Sequence, residues 1–197
     1  MIKAFKKTKQ IIQKGFSLLE VAIVVTLLGI LVTIVAPYIM GGLDESNGTN
    51  IVTQVQKSFT NIAVLSAKCQ TTTAYTGNPV PNTASLKTMV DVIYGGYSNV
   101  AAAYQTCYLN SKISPLSEAA VNNSGWKLLG YTVTFGGGGA GVANTITLAA
   151  VKSNVALNIV QRYSPSTSSL ATAGSAGPVT WTADSGSGSD LTFSKQL

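Results

Sequence analysis

Residues 14–37 read KGFSLLEVAIVVTLLGILVTIVAP, and the fold turns on how this stretch is understood. From residue 16 to residue 36 it runs 21 positions with almost nothing but apolar side chains, yet Glu20 stands four residues past Phe16. A carboxylate inside a membrane-length segment costs ~2.5–3.5 kcal/mol on insertion scales at a helix centre. The segment therefore poses a question that hydrophobicity alone does not answer: what neutralises Glu20.

The charge of the whole chain narrows the setting. The sequence has 197 residues, 13 basic and seven acidic side chains, and no histidine. Five of those basic residues, Lys3, Lys6, Lys7, Lys9 and Lys14, fall within the first 15 positions, where there is no acid. Residues 16–197 hold eight basic and seven acidic side chains, so the apparent basicity belongs to a local tail and not to a domain. Bulk charge thus gives no indication of nucleic-acid binding. Without histidine, Ser-His-Asp and Cys-His sites and His-ligated metals are excluded. No constellation points to an enzyme, a cofactor or a metal site.

Three readings fit residues 1–40: a cleaved secretory signal, a plain transmembrane anchor, and an anchor with a processing site at its cytoplasmic edge. The apolar core exceeds the ~7–15 residues of a signal-peptide core, and Pro37 and Tyr38 interrupt any small-x-small cleavage site. It is long enough to cross ~30 Å of hydrocarbon. In every case the lysine-rich end stays cytoplasmic and Tyr38 onward lies across the membrane. Snorkelling of Glu20 to the headgroups is the plain-anchor account of the carboxylate.

Lysines followed by Gly15, Phe16, Ser17, Leu18, Leu19, Glu20 and Val21 at the head of an apolar helix resemble the type III signal sequence of type IV pilins and pseudopilins. Gly29 and Pro37 stand where many pilins carry a glycine and a helix-bending proline. The resemblance in specific residues covers positions 14–40 and is architectural beyond them. It implies an α+β, pilin-like fold: a long N-terminal α-helix, half transmembrane and half amphipathic, packed on an antiparallel β-sheet. It also implies a leader of residues 1–15, a transmembrane and assembly helix of residues 16–40, and an extracytoplasmic domain of residues 41–197. Prepilin peptidase would cut between Gly15 and Phe16 and methylate the new Phe16 amine. The implied partners are other pilin subunits in a homopolymer, the inner-membrane assembly platform and membrane lipid. A single-pass inner-membrane precursor would pass into a cell-surface filament. Glu20 would then pair with the Phe16 ammonium of a neighbouring subunit, because a carboxylate entering an apolar bundle needs a compact opposite charge. The alternatives are a minor pilin or secretion pseudopilin, and a membrane-anchored binding protein that never polymerises. The leader of 15 residues is longer than in many pilins with Phe at this site.

Beyond the anchor, Pro37 lacks the amide hydrogen of a continuing helix, and Gly41, Gly42 and Gly48 are poor helix formers. A helix bent or interrupted here is expected, with Asp44, Glu45 and Asn47 as a solvated cap. Val52, Val55, Phe59 and Ile62 then recur at helical spacing, flanked by Ala63 and continued by Ser66 and Cys69, with Gln54, Lys57, Thr60 and Asn61 opposite. Cys69 and Cys107, the only cysteines, favour a disulfide in an extracytoplasmic compartment, and no CxxC spacing supports a redox or zinc motif. Leu86, Met89, Val90 and Ile93 give a short helical pattern stopped by Gly95 and Gly96. Tyr131, Val133 and Phe135 alternate with threonines as a half-buried strand, and residues 144–151 alternate again, so the two read as a hairpin across the glycine run of residues 136–141. Residues 153–163 read as a short helix capped by Ser153 or Asn154. The Ser/Thr/Gly/Ala-rich tail from Ser164, low in charge, reads as holding two short strands, with Trp181 either packed on the helix or an exposed contact residue.

Overall fold

The computed structural model describes residues 17–116, 119–122, 125–138, 142–184 and 186–197. The leader, Gly15, Phe16 and residues 139–141 of the glycine run lie outside the described residues. The first element, α1, runs Leu18–Cys69 and is 52 residues long. Leu, Ile, Val and Ala through its first half satisfy their own amides by helix formation. The hydroxyls of Thr26 and Thr33 donate to the carbonyls of Ala22 at 2.8 Å and Ile30 at 2.7 Å. Residues 37–48 are helical, so the interruption allowed for above does not occur. The helix passes through Asp44, Glu45 and Asn47 without starting there. Asp44 instead accepts a hydrogen bond from Asn154 at 3.5 Å. The chain divides into two compact units, Met1–Gly42 and Leu43–Leu197.

Within the second unit, Ile51, Val55, Phe59, Ile62 and Leu65 of α1 enter one core. The buried arc is wider than the sequence stripe. Gln54, expected on the open face, is 5% exposed, and Ser58 and Ser66 are buried beside it. The cause is the chain that follows: Ser66 Oγ donates to the carbonyl of Thr72 at 3.0 Å, and Ser58 Oγ meets Tyr94 Oη at 3.2 Å. The flank of the helix is covered by its own downstream loop. The Cys69–Cys107 disulfide fastens the end of α1 to α2 (Gln105–Ser111), with Cα atoms 5.2 Å apart.

Seven antiparallel strands form the sheet: β1 (Ala119–Asn122), β2 (Gly125–Leu128), β3 (Tyr131–Gly137), β4 (Asn144–Val151), β5 (Gly174–Ala176), β6 (Val179–Trp181) and β7 (Ser189–Lys195). Their spatial order is β1-β2-β3-β4-β7-β6-β5. The β3–β4 hairpin is present, pairing Val133 with Leu148 and Phe135 with Ile146. Alternation sends Val133, Ile146, Leu148, Leu191 and Phe193 into the core. The outer face carries a row in register across five strands, Thr134, Thr147, Thr192, Thr180 and Ser175. The sequence pattern missed that β2 and β3 are separate strands. Leu129 (φ 49°) and Gly130 (φ 90°) turn the chain between them, a left-handed pair suited to a two-residue hairpin.

α3 (Ser153–Gln161) packs Val155, Ala156, Ile159 and Val160 into the same core. It crosses α1 at Gly48, where a Cβ would stand 3.4 Å from Ile159 Cγ1. Gly48 is thus a buried crossing point of two helices. Arg162 reaches Thr49 there as well. Neither expected cap operates on α3. Lys152 occupies that position, and Ser153, the first helical residue, gives its hydroxyl to Asp184. Around Met89–Ile93 the expected helical pattern is a single wide turn, Asp91–Gly95, of i→i+5 type. Met89 and Ile93 are buried, but Leu86 is 90% exposed at φ 55° and leaves the stripe. Trp181 lies over Gly174 of β5, where a Cβ would come within 2.5 Å of the indole, and it donates to Thr172 at 2.9 Å.

Two outcomes follow from this packing. Opening the Cys69–Cys107 loop by Cys107→Ser should lower the unfolding free energy by ~3–4 kcal/mol, from the loop-length relation, in urea titrations of oxidised wild type against the variant. Burial raises the Tyr94 hydroxyl to about 12, with the Ser58 contact opposing it. The unfolded hydroxyl ionises first, so this contribution is whole below pH ~10 and is lost as pH climbs to ~12. Tyr94→Phe should therefore flatten the alkaline fall in stability by about 2 kcal/mol.

Candidate functional site

The first unit is defined by what its helix leaves uncovered. Residues Leu18–Ala36 have a mean hydropathy of 2.8 and none of them is buried. At 1.5 Å per residue the span is about 28 Å, the thickness of a bilayer's hydrocarbon. Leu18 and Leu19 are 89% and 70% exposed, and the large side chains from Val21 to Val35 are exposed on every side. A helix that is apolar all round belongs in lipid or among other helices.

Glu20 lies in the first turn of α1. Ser17 accepts the Glu20 amide twice, at its carbonyl (3.0 Å) and at Oγ (3.2 Å), and its carbonyl also takes the amide of Val21 at 3.2 Å. Ser17 is therefore the N-cap, and Ser17–Leu18–Leu19–Glu20 follows the S-x-x-E capping pattern, with Glu20 at the third helical position. This role of Ser17 was legible in the spacing and was missed. A carboxylate here also faces the positive end of the helix dipole. These two effects give Glu20 a local reason to tolerate its place. They leave its charge without a counter-ion, since no ion pair reaches it among the described residues.

The remaining predicted positions are easily located. Gly29 lies on the exposed helix, where an added Cβ would meet nothing within 4 Å. Residue 37 lies inside α1. Cys69 and Cys107 are joined. Among the described residues, no group of three or more Cys, Asp or Glu is placed to hold a metal.

Residues 12–36 match the prokaryotic N-terminal methylation motif. This segment is the signal of type IV prepilins, and it brackets Gly15, Phe16, the cap and Glu20 together. The motif and the apolar helix Leu18–Ala36 support a membrane-anchored precursor of the pilin or pseudopilin type, and the α+β architecture described above fits a pilin-like fold. The motif implies processing by prepilin peptidase and association with other pilins, and its family is structural and not catalytic. No curated protein and no solved structure matches the chain.

The cap makes a direct prediction. Ser17→Ala should weaken the start of α1 by ~1 kcal/mol, the usual worth of a Ser cap, seen as faster amide exchange at Leu19 and Glu20 in detergent micelles. Insertion of the span should be unchanged.

Proposed function

We propose that the chain is the structural subunit of a type IV pilus-like filament, a homopolymer held together by its apolar helix. Cleavage after Gly15 removes residues 1–15, and the freed Phe16 amine is N-methylated. The mature chain waits in the bacterial inner membrane through residues 16–40. The assembly platform then draws it into a surface fibre, with residues 41–197 facing outward. Gly29 and Pro37 are the places where α1 bends as subunits pack. The observation that carries this reading is the pairing of a wholly uncovered apolar helix with one unmatched carboxylate at its head. Lipid accommodates the first and leaves the second without an opposite charge. A bundle of identical helices, each beginning with an ammonium at Phe16, accommodates both. Such an ion pair acts chiefly on register, because any stagger that leaves Glu20 alone buries an uncompensated charge. Repetition of one head-to-tail contact yields an open helical polymer.

Two substitutions separate this pairing from the helix cap. Gln at the third helical position preserves a capping box but carries no charge. In the native host, mature wild-type chain should begin with N-methylated Phe16 by mass spectrometry. Both Glu20→Gln and Glu20→Ala should remain in the membrane yet fall at least tenfold in sheared-fibre yield. Fibres from Glu20→Gln at wild-type yield would show that the carboxylate serves the cap alone. An intact Met1 on the wild-type chain would return the anchor that never polymerises.

A further inference from the structure

A second site lies in the domain of residues 43–197. β2 is hydrogen-bonded to β3 at Lys127–Thr132 and Leu128–Tyr131, and among the described residues the pairing stops there. β3 continues to Gly137, where its carbonyl accepts the amide of Tyr75 at 3.4 Å. Between these two closures no strand among the described residues pairs with the β2-side edge of β3, residues 133–136. The gap opens into a cleft of about 600 Å³, within the ~300–1,000 Å³ range of small-molecule sites.

One wall of the cleft is a fixed aromatic surface. Trp126 of β2 is half-buried and lines it together with Tyr75 and Phe135. The indole N–H donates to Asp91 Oδ1 at 3.0 Å. Its ring packs against Gly95, where a Cβ would stand 2.8 Å away, and against Tyr94 at 5.9 Å between centroids. Tyr75 and Phe135 stack at 4.8 Å. Asp91 has no capacity to spare for a ligand cation: its Oδ2 takes both the amide and the hydroxyl of Thr88, each at 2.8 Å. Burial alone raises this carboxyl, but Trp126, Thr88 and the nearby Lys87 charge outweigh it and hold it below the usual range. The carboxylate is a bracket for the indole.

The rest of the lining mixes hydroxyls with apolar side chains and one cation, Lys87, whose charge is set against that of Asp91. Thr76 and Thr83 bring hydroxyls with no hydrogen-bond partner among the described residues, and Thr132 and Thr134 border the cleft at the outer face of β3. Tyr75 is 8% exposed, and its buried hydroxyl has no partner either. That hydroxyl is closed off from solvent and faces Tyr94 in the core, so Tyr75 offers the cleft its ring alone. The ligand that answers this set has one flat C–H face for the aromatic wall, hydroxyls around its rim and no net charge. From this geometry we infer that the cleft between β2 and β3 binds a neutral saccharide, one pyranose face on Trp126 and its hydroxyls on the threonines and the free β3 edge. An extended peptide is the other occupant that an open strand edge suggests. It needs to enter and leave along the strand, and both ends are closed, by β2 and by Tyr75. A compact ring meets no such obstacle.

The test uses the full chain in an amine-oxide detergent, free of sugar headgroups. Neutral trisaccharides of glucose, mannose, galactose and N-acetylglucosamine are titrated calorimetrically, alongside the hexapeptide Val-Thr-Val-Thr-Val-Thr. At least one trisaccharide should saturate the protein. Trp126→Ala should weaken that binding at least tenfold, and Trp181→Phe should leave it unchanged. Thr76→Val should weaken it about three- to tenfold without lowering the unfolding midpoint, since it deletes a hydroxyl on the cleft that has no partner among the described residues. This second variant keeps the test decisive if Trp126→Ala does not fold. Absence of binding by all four sugars overturns the assignment, as does wild-type affinity in Thr76→Val and in a folded Trp126→Ala. Saturation by the hexapeptide alone would make the cleft a strand-addition site instead.

Discussion

Every main-chain amide that lies in hydrocarbon must find its partner within the protein, and this demand shapes the chain from Leu18 onward. α1 meets it with a helical hydrogen-bond ladder that lacks only the rung Pro37 cannot donate, reinforced where Thr26 and Thr33 return their hydroxyls to the backbone. The same ladder later serves a different medium. Past Leu43 its side chains are selected for a protein core, with Ile51, Val55, Phe59, Ile62 and Leu65 on one arc. One element thus carries two hydrophobic patterns, apolar all round and then apolar on one side, and everything in the domain is arranged against the second.

Glu20 shows why a costly side chain can have more than one cause. The Ser17 cap and the helix dipole explain how a carboxylate is tolerated in a first turn. They do not require it, because glutamine meets the same capping geometry. What a charge adds is dependence on an opposite charge, and the chain supplies none among the described residues. The local and the intermolecular accounts are therefore complementary. The cap sets where the helix starts, and the pairing proposed above sets where its neighbour must stand.

Legibility from sequence followed the range of the interactions concerned. The membrane-length helix was plain because hydropathy is a local sum. β3 and β4 were plain because Tyr131–Phe135 and Asn144–Val151 alternate strictly. Cys69 and Cys107 paired because there were no others. Errors arose where distant chain decides. Gln54 is buried against its helical pattern, and Ser58 beside it is covered by Tyr94, far along the chain. Leu86 leaves its stripe because its backbone is left-handed. Ser153 does not cap α3 because Asp184 claims its hydroxyl. The saccharide cleft was invisible for the same reason: Tyr75, Asp91, Trp126 and Phe135 are spread over sixty positions and meet through a strand pair that stops early. The S-x-x-E cap was different, a local signal that was present and went unread.

The row of Thr134, Thr147, Thr192, Thr180 and Ser175 across the outer face of the sheet has a consequence of its own. None of these hydroxyls carries a charge near neutral pH, and Thr147 and Thr192 hydrogen-bond to each other across the strands at 2.9 Å. Screening by dissolved ions acts on charges and has nothing to grip on such a row. Along that strip, wetting is set by the geometry of the strands and not by ionic strength. A surface of this kind keeps its hydration from fresh water to brine.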